Sequence, residues 1–280
     1  MERMLVLQSD FGLSDGAVSA MYGVALSVNP DLRISNLTHD IPPYNVWEAS
    51  YRLLQTVSYW PEGTVFVSVV DPGVGSKRKS LIAKLASNQF IITPDNGTLT
   101  HLIKTKGLEE VRELDEVRNR LPNSGESYTF HGRDIYAYTG ARLASGVISF
   151  EESGKKIEPT TIVQLSIQDA TISDTKVNGS IDILDVRFGN IWTNIHRSLF
   201  TQLGINYGDL VDVAIEDGTR QVYKHTMSFG RSFADTLIGK TVLYVNSIDH
   251  IAIGINQGSF AKAYGVGTGY NWKIKIQPIV

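Results

Sequence analysis

Cysteine is absent from this chain of 280 residues, which excludes disulfides and metal sites built on thiolate ligands. No apolar run approaches the roughly 20 residues of a membrane-spanning helix, and no basic segment followed by an apolar one opens the chain. An excess of positive charge is missing too, because the formal net charge is −3 at pH 7. We therefore expect a cytoplasmic protein whose partner is a small molecule rather than nucleic acid or a membrane.

Apolar residues make up 42% of the sequence and charged residues 20%, so the chain can bury the cores of two domains. From Met4 to about Phe150, strand-like runs alternate with amphipathic ones, which predicts an α/β domain with a mostly parallel sheet flanked by helices. After the charged, turn-rich residues 151–159, short strands with few helices predict a smaller antiparallel β-barrel-like domain. We assign residues 1–166 to the first domain and residues 167–280 to the second.

Periodicity and helix-stop residues place the individual elements. Helices are predicted at residues 17–28, 46–59, 98–106 and 134–145. In the second domain, strands are predicted at residues 175–183, 210–215, 221–227, 241–245, 251–255 and 272–276.

A β-branched run at Thr64–Val70 ends in Asp71 and a Pro-Gly turn, and Arg78 follows in a basic cluster. The residue before a proline favours extended backbone, so Asp71 is predicted to end the strand with its carboxylate at the rim of the sheet. Glycines at positions 73 and 75 let the loop fold back, so that the guanidinium of Arg78 can return to this carboxylate. On these residues alone, the pair could also be a structural salt bridge between loop and strand.

Asp10 follows the strand-like run Leu5–Ser9 and precedes Phe11-Gly12 in a similar way. If the two strands run parallel, Asp10 and Asp71 lie along one carboxyl edge, where open α/β sheets bind ligands. A carboxylate there can accept two hydrogen bonds from a vicinal diol, which makes a ribose a suitable ligand. The alternative is a turn aspartate that accepts hydrogen bonds from its own backbone.

His131 precedes Gly132 at a predicted helix start, which we expect to be an exposed junction. Together with Asp71 and Arg78 it would supply what water activation requires: a proton acceptor, a cation that keeps the carboxylate ionised, and a titratable imidazole. The remaining histidines have no spacing typical of metal ligands, so we expect no metal; they are His39, His101, His196, His225 and His250.

Phe188-Gly189-Asn190 lies in the second predicted domain. An aromatic ring, a glycine that permits close approach and an amide suit a purine, through stacking and paired hydrogen bonds. A β-bulge with a buried phenylalanine is the alternative on these residues alone.

Seven ordered blocks run from the first predicted strand almost to the end of the chain, and together they resemble the S-adenosyl-L-methionine (SAM) hydroxide adenosyltransferases, a family related to fluorinase and chlorinase. The blocks are LQSDFGLSDG (7–16), THDIPP (38–43), VVDPGVGSKRK (69–79), TPDNGTL (93–99), TFHGRDI (129–135), FGNIWTNI (188–195) and YVNS with INQGS (244–247, 255–259). The resemblance implies hydrolysis of SAM to adenosine and L-methionine, by attack of water on the ribose C5′. Asp71, Arg78 and His131 match the family's water-activating set one to one.

The resemblance also implies how the nucleoside is bound. Asp10 matches the aspartate that holds the ribose hydroxyls, and Tyr44 stands where the fluorinase has a tryptophan beside the ribose and sulfonium. Phe188 and Asn190 match residues that contact adenine in the halogenase relatives.

For the amino-acid end, Asp185 matches the residue that binds the methionine ammonium, and Ser247 matches one that helps to hold this end. Two fluorinase arginines near the methionine carboxylate correspond here to Ile248 and Ile255, so the resemblance assigns this carboxylate no cation. It further implies a homotrimer with each site at a subunit interface, and no cofactor other than the substrate.

One departure from the relatives favours water as the nucleophile. Where the fluorinase presents a tyrosine and a serine to its halide, this chain has Asp71 and Gly132, and a carboxylate repels halide but can orient water. Two alternatives remain open: a halide-using transferase of the same fold, and a sensor that binds SAM or a nucleoside without turnover.

Overall fold

A computed structural model describes residues 4–125, 127–173 and 175–279. The chain divides into two compact units between Leu165 and Ser166. Within the described ranges, no helix is both long enough and apolar enough to cross a membrane.

The first unit is built on a seven-stranded sheet with the order β2-β1-β3-β5-β4-β6-β7. Strands β1, β2, β3, β5 and β6 point one way, and β4 and β7 run antiparallel to their neighbours. The strands are β1 (Leu5–Ser9), β2 (Ile34–Thr38), β3 (Val65–Val69), β4 (Ser80–Lys84), β5 (Phe90–Pro94), β6 (Glu110–Leu114) and β7 (Gly154–Ile157).

Helices cover both faces of this sheet because its central strands are apolar on both sides. Leu5 and Leu7 pack into one core with Met21, whereas Val6, between them, packs into the opposite core with Leu53, as the period of a strand requires. The helices are α1 (Ala17–Val28), α2 (Val46–Val57), α3 (Thr100–Thr105) and α4 (Tyr138–Ala144), the last continuing a π-helical segment at Gly132–Ala137.

The second unit is a closed barrel of seven strands, with β8 added at its side. Pairing of β9 with β10 closes the barrel, so these strands leave no open sheet edge. Among the described residues of this unit, only β12 and β13 pair in parallel. The strands are β8 (Thr171–Ser173), β9 (Lys176–Asp185), β10 (Asn190–His196), β11 (Leu210–Asp217), β12 (Arg220–Phe229), β13 (Thr241–Val245), β14 (His250–Ile255) and β15 (Trp272–Pro278). Two short helices, α5 (Arg197–Phe200) and α6 (Phe260–Tyr264), pack on the barrel.

The predicted fold class is confirmed, and α1 and β13 have the predicted bounds. Two expectations about the strands are wrong. Residues 151–159 are not merely a turn-rich stretch, because Gly154–Ile157 pairs with β6 as an edge strand of the first sheet. The strand before Asp71 ends at Val69, two residues earlier than predicted.

Candidate functional site

Asp10 and Asp71 leave the same edge of the first sheet. Strands β1 and β3 are parallel neighbours with Ser9 opposite Val69, so the chain segments that follow them start side by side. Asp71 then opens a compact turn in which the Val74 amide donates to the Asp71 carbonyl at 3.2 Å. Gly75, at φ +76°, continues the loop close to the Tyr128 carbonyl, where a Cβ would lie 3.1 Å away.

The loop returns Arg78 to Asp71 as a bidentate pair. Arg78 Nε donates to Asp71 Oδ1 at 2.7 Å and Nη2 donates to Oδ2 at 2.5 Å. The side chains of Arg78 and Asp71 are only 9% and 6% exposed, so water screens this pair little. Burial is the largest single influence on the pKa of Arg78 and lowers it, but the hydrogen bond with Asp71 and the nearby acidic groups together outweigh burial and raise the pKa above its usual value.

A second group of polar side chains also holds the guanidinium of Arg78. Arg78 Nη1 donates to Ser80 Oγ at 3.1 Å, and Ser80 in turn donates to Glu116 Oε1 at 2.6 Å. Ser80 Oγ also lies 2.8 Å from the hydroxyl of Tyr136, whose pKa burial raises strongly, so the phenol is neutral. The guanidinium is therefore held on several sides and has little freedom to leave Asp71.

His131 joins the same network through Arg78. Its Nδ1 lies 3.1 Å from Arg78 Nη2, and its Nε2 lies 3.4 Å from Nη2 of Arg120. The expectation of an exposed junction is wrong, because the residue is only 4% exposed, with the Tyr128 ring 6.5 Å away from the imidazole.

The surroundings of His131 favour its neutral form. Burial is the largest cause that lowers its pKa from 6.5; Glu116 and Asp71 oppose it, while Arg78 and Arg120 lower the pKa further. A neutral imidazole has one acceptor nitrogen, so only one of the two guanidinium contacts can be a hydrogen bond at a time. His131 is thus a neutral imidazole rather than a cation at neutral pH.

Asp10 is held by the backbone of the loop that carries Tyr44. The Tyr44 amide donates to Asp10 Oδ2 at 2.8 Å, and Tyr44 itself adopts φ +67° and is 72% exposed as a residue. Behind this contact, His39 bridges Ser9 Oγ at 2.7 Å and Asn36 Oδ1 at 2.9 Å. Because one oxygen of Asp10 is fixed by a backbone donor, the carboxylate has a defined direction and keeps lone pairs for a ligand.

These residues surround a cavity of about 370 Å³ in the first unit. Five predicted residues line it, whereas Arg78 is not among the lining residues. Gly132 packs tightly here, since a Cβ would lie 3.1 Å from the Phe11 ring and 3.2 Å from Val69 Cγ1. The lining residues are Asp10, Phe11, Pro43, Tyr44, Val69, Asp71, Val74, Thr129, Phe130, His131 and Gly132.

A separate cavity of about 800 Å³ lies in the second unit, and the four residues predicted in that domain all line it. Asn190 is buried and donates to Asp185 Oδ2 at 3.2 Å, whereas Phe188 is 66% exposed, which rules out the buried phenylalanine of the bulge alternative. Gly189 has φ +71° and lies so close to Ser259 that a Cβ would overlap its Oγ. The lining comprises Asp185, Arg187, Phe188, Asn190, Trp192, Phe233, Tyr244, Val245, Asn246, Ser247, Ile255, Gln257, Gly258 and Ser259.

Sequence reasoning missed several members of these sites. Glu116 and Arg120 belong to the charged run DEVRNR at 115–120, which by itself indicates a solvated loop. Arg187 lies inside the DVRFGN segment and carried no signal beyond its neighbours. In the part of the chain that the structure describes, no group of three or more histidines and carboxylates could hold a metal ion.

Comparison with known proteins places both units in one family. Residues 5–154 match the model of the SAM hydroxide adenosyltransferase N-terminal domain, and residues 179–273 match that of its C-terminal domain. An (R)-S-adenosyl-L-methionine hydrolase from Salinispora tropica is 33% identical over 93% of each chain. A fluorinase from Nocardia brasiliensis is 29% identical over 98% of this chain and 97% of its own. The crystal structure of an uncharacterised conserved protein from Thermotoga maritima matches with a TM-score of 0.89 and 31% identity, over 98% of this chain and all of its own.

Proposed function

The chain belongs to the SAM hydroxide adenosyltransferase family, and from this premise we propose that it hydrolyses SAM to adenosine and L-methionine. The observation that carries the proposal is the buried Asp71, Arg78 and His131 network at the wall of the first cavity. The network offers a carboxylate to the nucleophile, and a carboxylate attracts the hydrogens of water while it repels an anion.

In the proposed step, the oxygen of water forms a bond to C5′ while the bond from C5′ to sulfur breaks and its electron pair goes to sulfur. The leaving group is a neutral thioether that needs no general acid, so the difficulty lies in the weak nucleophile. Arg78 takes one lone-pair position on each oxygen of Asp71 and leaves others that can orient water. Neutral His131 can take up the proton that water releases at its acceptor nitrogen once the guanidinium contact at that atom breaks.

The two cavities divide the substrate between them in this proposal. In the first, Asp10 accepts hydrogen bonds from the ribose diol and Tyr44 provides an aromatic wall; the apolar side chains of Phe11 and Val69 help to exclude bulk water. In the second, Phe188 stacks on adenine and Asn190 bonds to its edge. Asp185 and Ser247 hold the amino-acid end of SAM. No metal or further cofactor takes part in the proposed step.

A halide-using transferase is the second candidate, because fluorinases are among the relatives of this chain. The same incubation tests both candidates. SAM is supplied in water enriched in oxygen-18 with chloride present, and we expect adenosine labelled at its 5′-hydroxyl together with L-methionine. Unlabelled adenosine or 5′-chloroadenosine would refute hydrolysis by water, and tight binding without any product would support a sensor instead.

Variants of the network show whether it acts on water. Asp71→Asn and His131→Ala are expected to lose turnover but to retain adenosine binding, since neither residue is assigned to the purine. The exposed Asp31→Asn is the matched control and should turn over SAM at the wild-type rate. If adenosine affinity falls as much as the rate in the first two variants, they are ligand contacts instead.

We further propose that the protein acts as a homotrimer in which a site takes its two halves from different subunits. Tyr44 and Phe188 support this, because both aromatic rings lie on cavities yet are largely exposed in the single chain. Co-expressed Asp71→Asn and Asn190→Ala subunits should then recover part of the activity that each variant lacks alone. Mixed oligomers that contain both subunit types and stay inactive would refute shared sites.

A further inference from the structure

The cavity of the second unit has a charge composition that suits a zwitterion. Among the described residues that line it, only Asp185 and Arg187 are charged, one of each sign. Asp185 is the last residue of β9 and Arg187 lies in the turn that joins β9 to β10, where the Gly189 amide donates to the Asp185 carbonyl at 2.7 Å. A tight turn thus presents an acidic and a basic group to the same space.

Neither group is neutralised by the other. The Asp185 side chain accepts one hydrogen bond, from Asn190 at 3.2 Å, and keeps lone pairs for a cation. Arg187 is exposed, and its guanidinium has no hydrogen bond or ion pair with any residue that the structure describes.

The other arginines of the second unit each have an ionic or aromatic contact. Arg197 pairs with Asp249 at 2.7 Å, Arg220 faces Asp217 at 3.8 Å, and Arg231 lies over the Tyr207 ring at 5.7 Å. Arg187 is therefore the arginine of this unit with neither an ion pair nor a ring contact among the described residues, and it is also the one that lines the cavity.

Ser247 supplies a neutral donor in the same cavity, at a turn of fixed geometry. Asn246 Oδ1 accepts the amides of Ile248 and His250, each at 3.0 Å, and so holds the backbone that follows Ser247. The neighbouring Ile248 and the cavity residue Ile255 have no polar side-chain atom, so they cannot bind an anion.

We propose that Arg187 binds the carboxylate of the amino-acid part of SAM, whose ammonium group the family resemblance assigns to Asp185. This assignment rests on the proposed function, because it takes SAM as the ligand. A guanidinium matches a carboxylate through two parallel charge-assisted hydrogen bonds, a geometry that the single ammonium of lysine cannot reproduce. Arg187 would then select SAM over nucleosides that lack the carboxylate.

The test compares SAM with decarboxylated SAM, which keeps the sulfonium and the amine but has no carboxylate. Dissociation constants are measured by calorimetry in protein that carries Asp71→Asn to prevent turnover, and KM is measured in otherwise wild-type protein. Arg187→Gln should raise the dissociation constant of SAM about 10- to 100-fold and should leave that of decarboxylated SAM unchanged or lower it. The affinity of Arg187→Lys for SAM should lie between the affinities of wild type and Arg187→Gln.

Arg220→Gln is the matched control, because it removes the same charge from a side chain that is 73% exposed and outside the cavity. It should change neither affinity. Equal weakening of both ligands by Arg187→Gln, or no weakening of SAM, would overturn the assignment even if the wild-type protein hydrolyses SAM. If SAM binds without reaction, the proposed hydrolysis is refuted, but the comparison of dissociation constants still tests the role of Arg187. If SAM does not bind at all, both proposals are refuted.

Discussion

Replacement of Arg78 by methionine should destabilise the first unit through the charge that it leaves behind. Methionine fills much of the same volume, but it removes both donors of Asp71, whose side chain is only 6% exposed. Removal of one partner from a buried ion pair costs about 3–5 kcal/mol, because the remaining charge is neither solvated nor paired. For a unit of this size, that corresponds to a melting temperature lower by about 6–20 °C.

The double variant Asp71→Asn/Arg78→Met separates this effect from lost packing. It retains the methionine but leaves no buried carboxylate, so it should be more stable than Arg78→Met alone, with a coupling free energy of about 1–3 kcal/mol. Urea unfolding at pH 7, followed by circular dichroism, gives the free energy of unfolding of Asp71→Asn, Arg78→Met and the double variant.

Arg33→Met is the control, because Arg33 is an exposed arginine of the same unit and its loss should change stability by about 0.5 kcal/mol or less. If the losses of the two single variants simply add in the double variant, Asp71 and Arg78 are not energetically coupled. The account of the site as a pre-formed ionic pair would then be wrong.

Two further predictions concern stability. Gly140→Ala should lower the free energy of unfolding by about 1–3 kcal/mol, because the new Cβ would lie 2.5 Å from Val67 Cγ2. Gly23→Ala should instead raise the free energy of unfolding by about 0.5–1 kcal/mol, because Gly23 lies inside α1 and its new Cβ would meet no atom within 4 Å. Urea unfolding that gives the reverse order of stability would contradict this packing. Burial lowers the pKa of His101 to about 4, so below about pH 6.5 the unfolded chain binds a proton at this histidine that the folded protein does not bind. The free energy of unfolding of wild type relative to His101→Gln should therefore fall by about 3 kcal/mol between pH 7 and pH 4. A difference between the two proteins that does not vary with pH would refute this.

Strand and helix positions were predictable where local pattern and burial agree. Strand β3 is buried on both faces, and its β-branched residues predict a strand. Helix α1 carries its buried Val18, Met21 and Ala25 at helical spacing, which predicts a helix. The edge strand β7 was not predictable, because its sequence GKKI is polar and it becomes a strand only by pairing with β6. Long-range pairing, not local propensity, decides such a segment.

The position of the site followed from one topological rule, since parallel neighbours bring Asp10 and Asp71 to the same edge. The return of Arg78 followed from loop length and two glycines. Its bidentate geometry could be anticipated only as a possibility, because Ser80 and Glu116, which hold the guanidinium from the other side, belong to separate strands and loops.

The protonation state of His131 is the property that no sequence pattern could supply. The family's Asp-Arg-His set places the imidazole of His131 near the carboxylate of Asp71, an arrangement that in solvent would favour the imidazolium. In the folded chain, burial and the guanidinium groups of Arg78 and Arg120 reverse this preference, although Asp71 and Glu116 lie nearby. Arg120 reaches His131 from 11 residues away through a loop whose charges look like ordinary surface charges. The family motif therefore identifies which groups meet at the site, while the balance of burial and cations around them determines that the histidine is neutral.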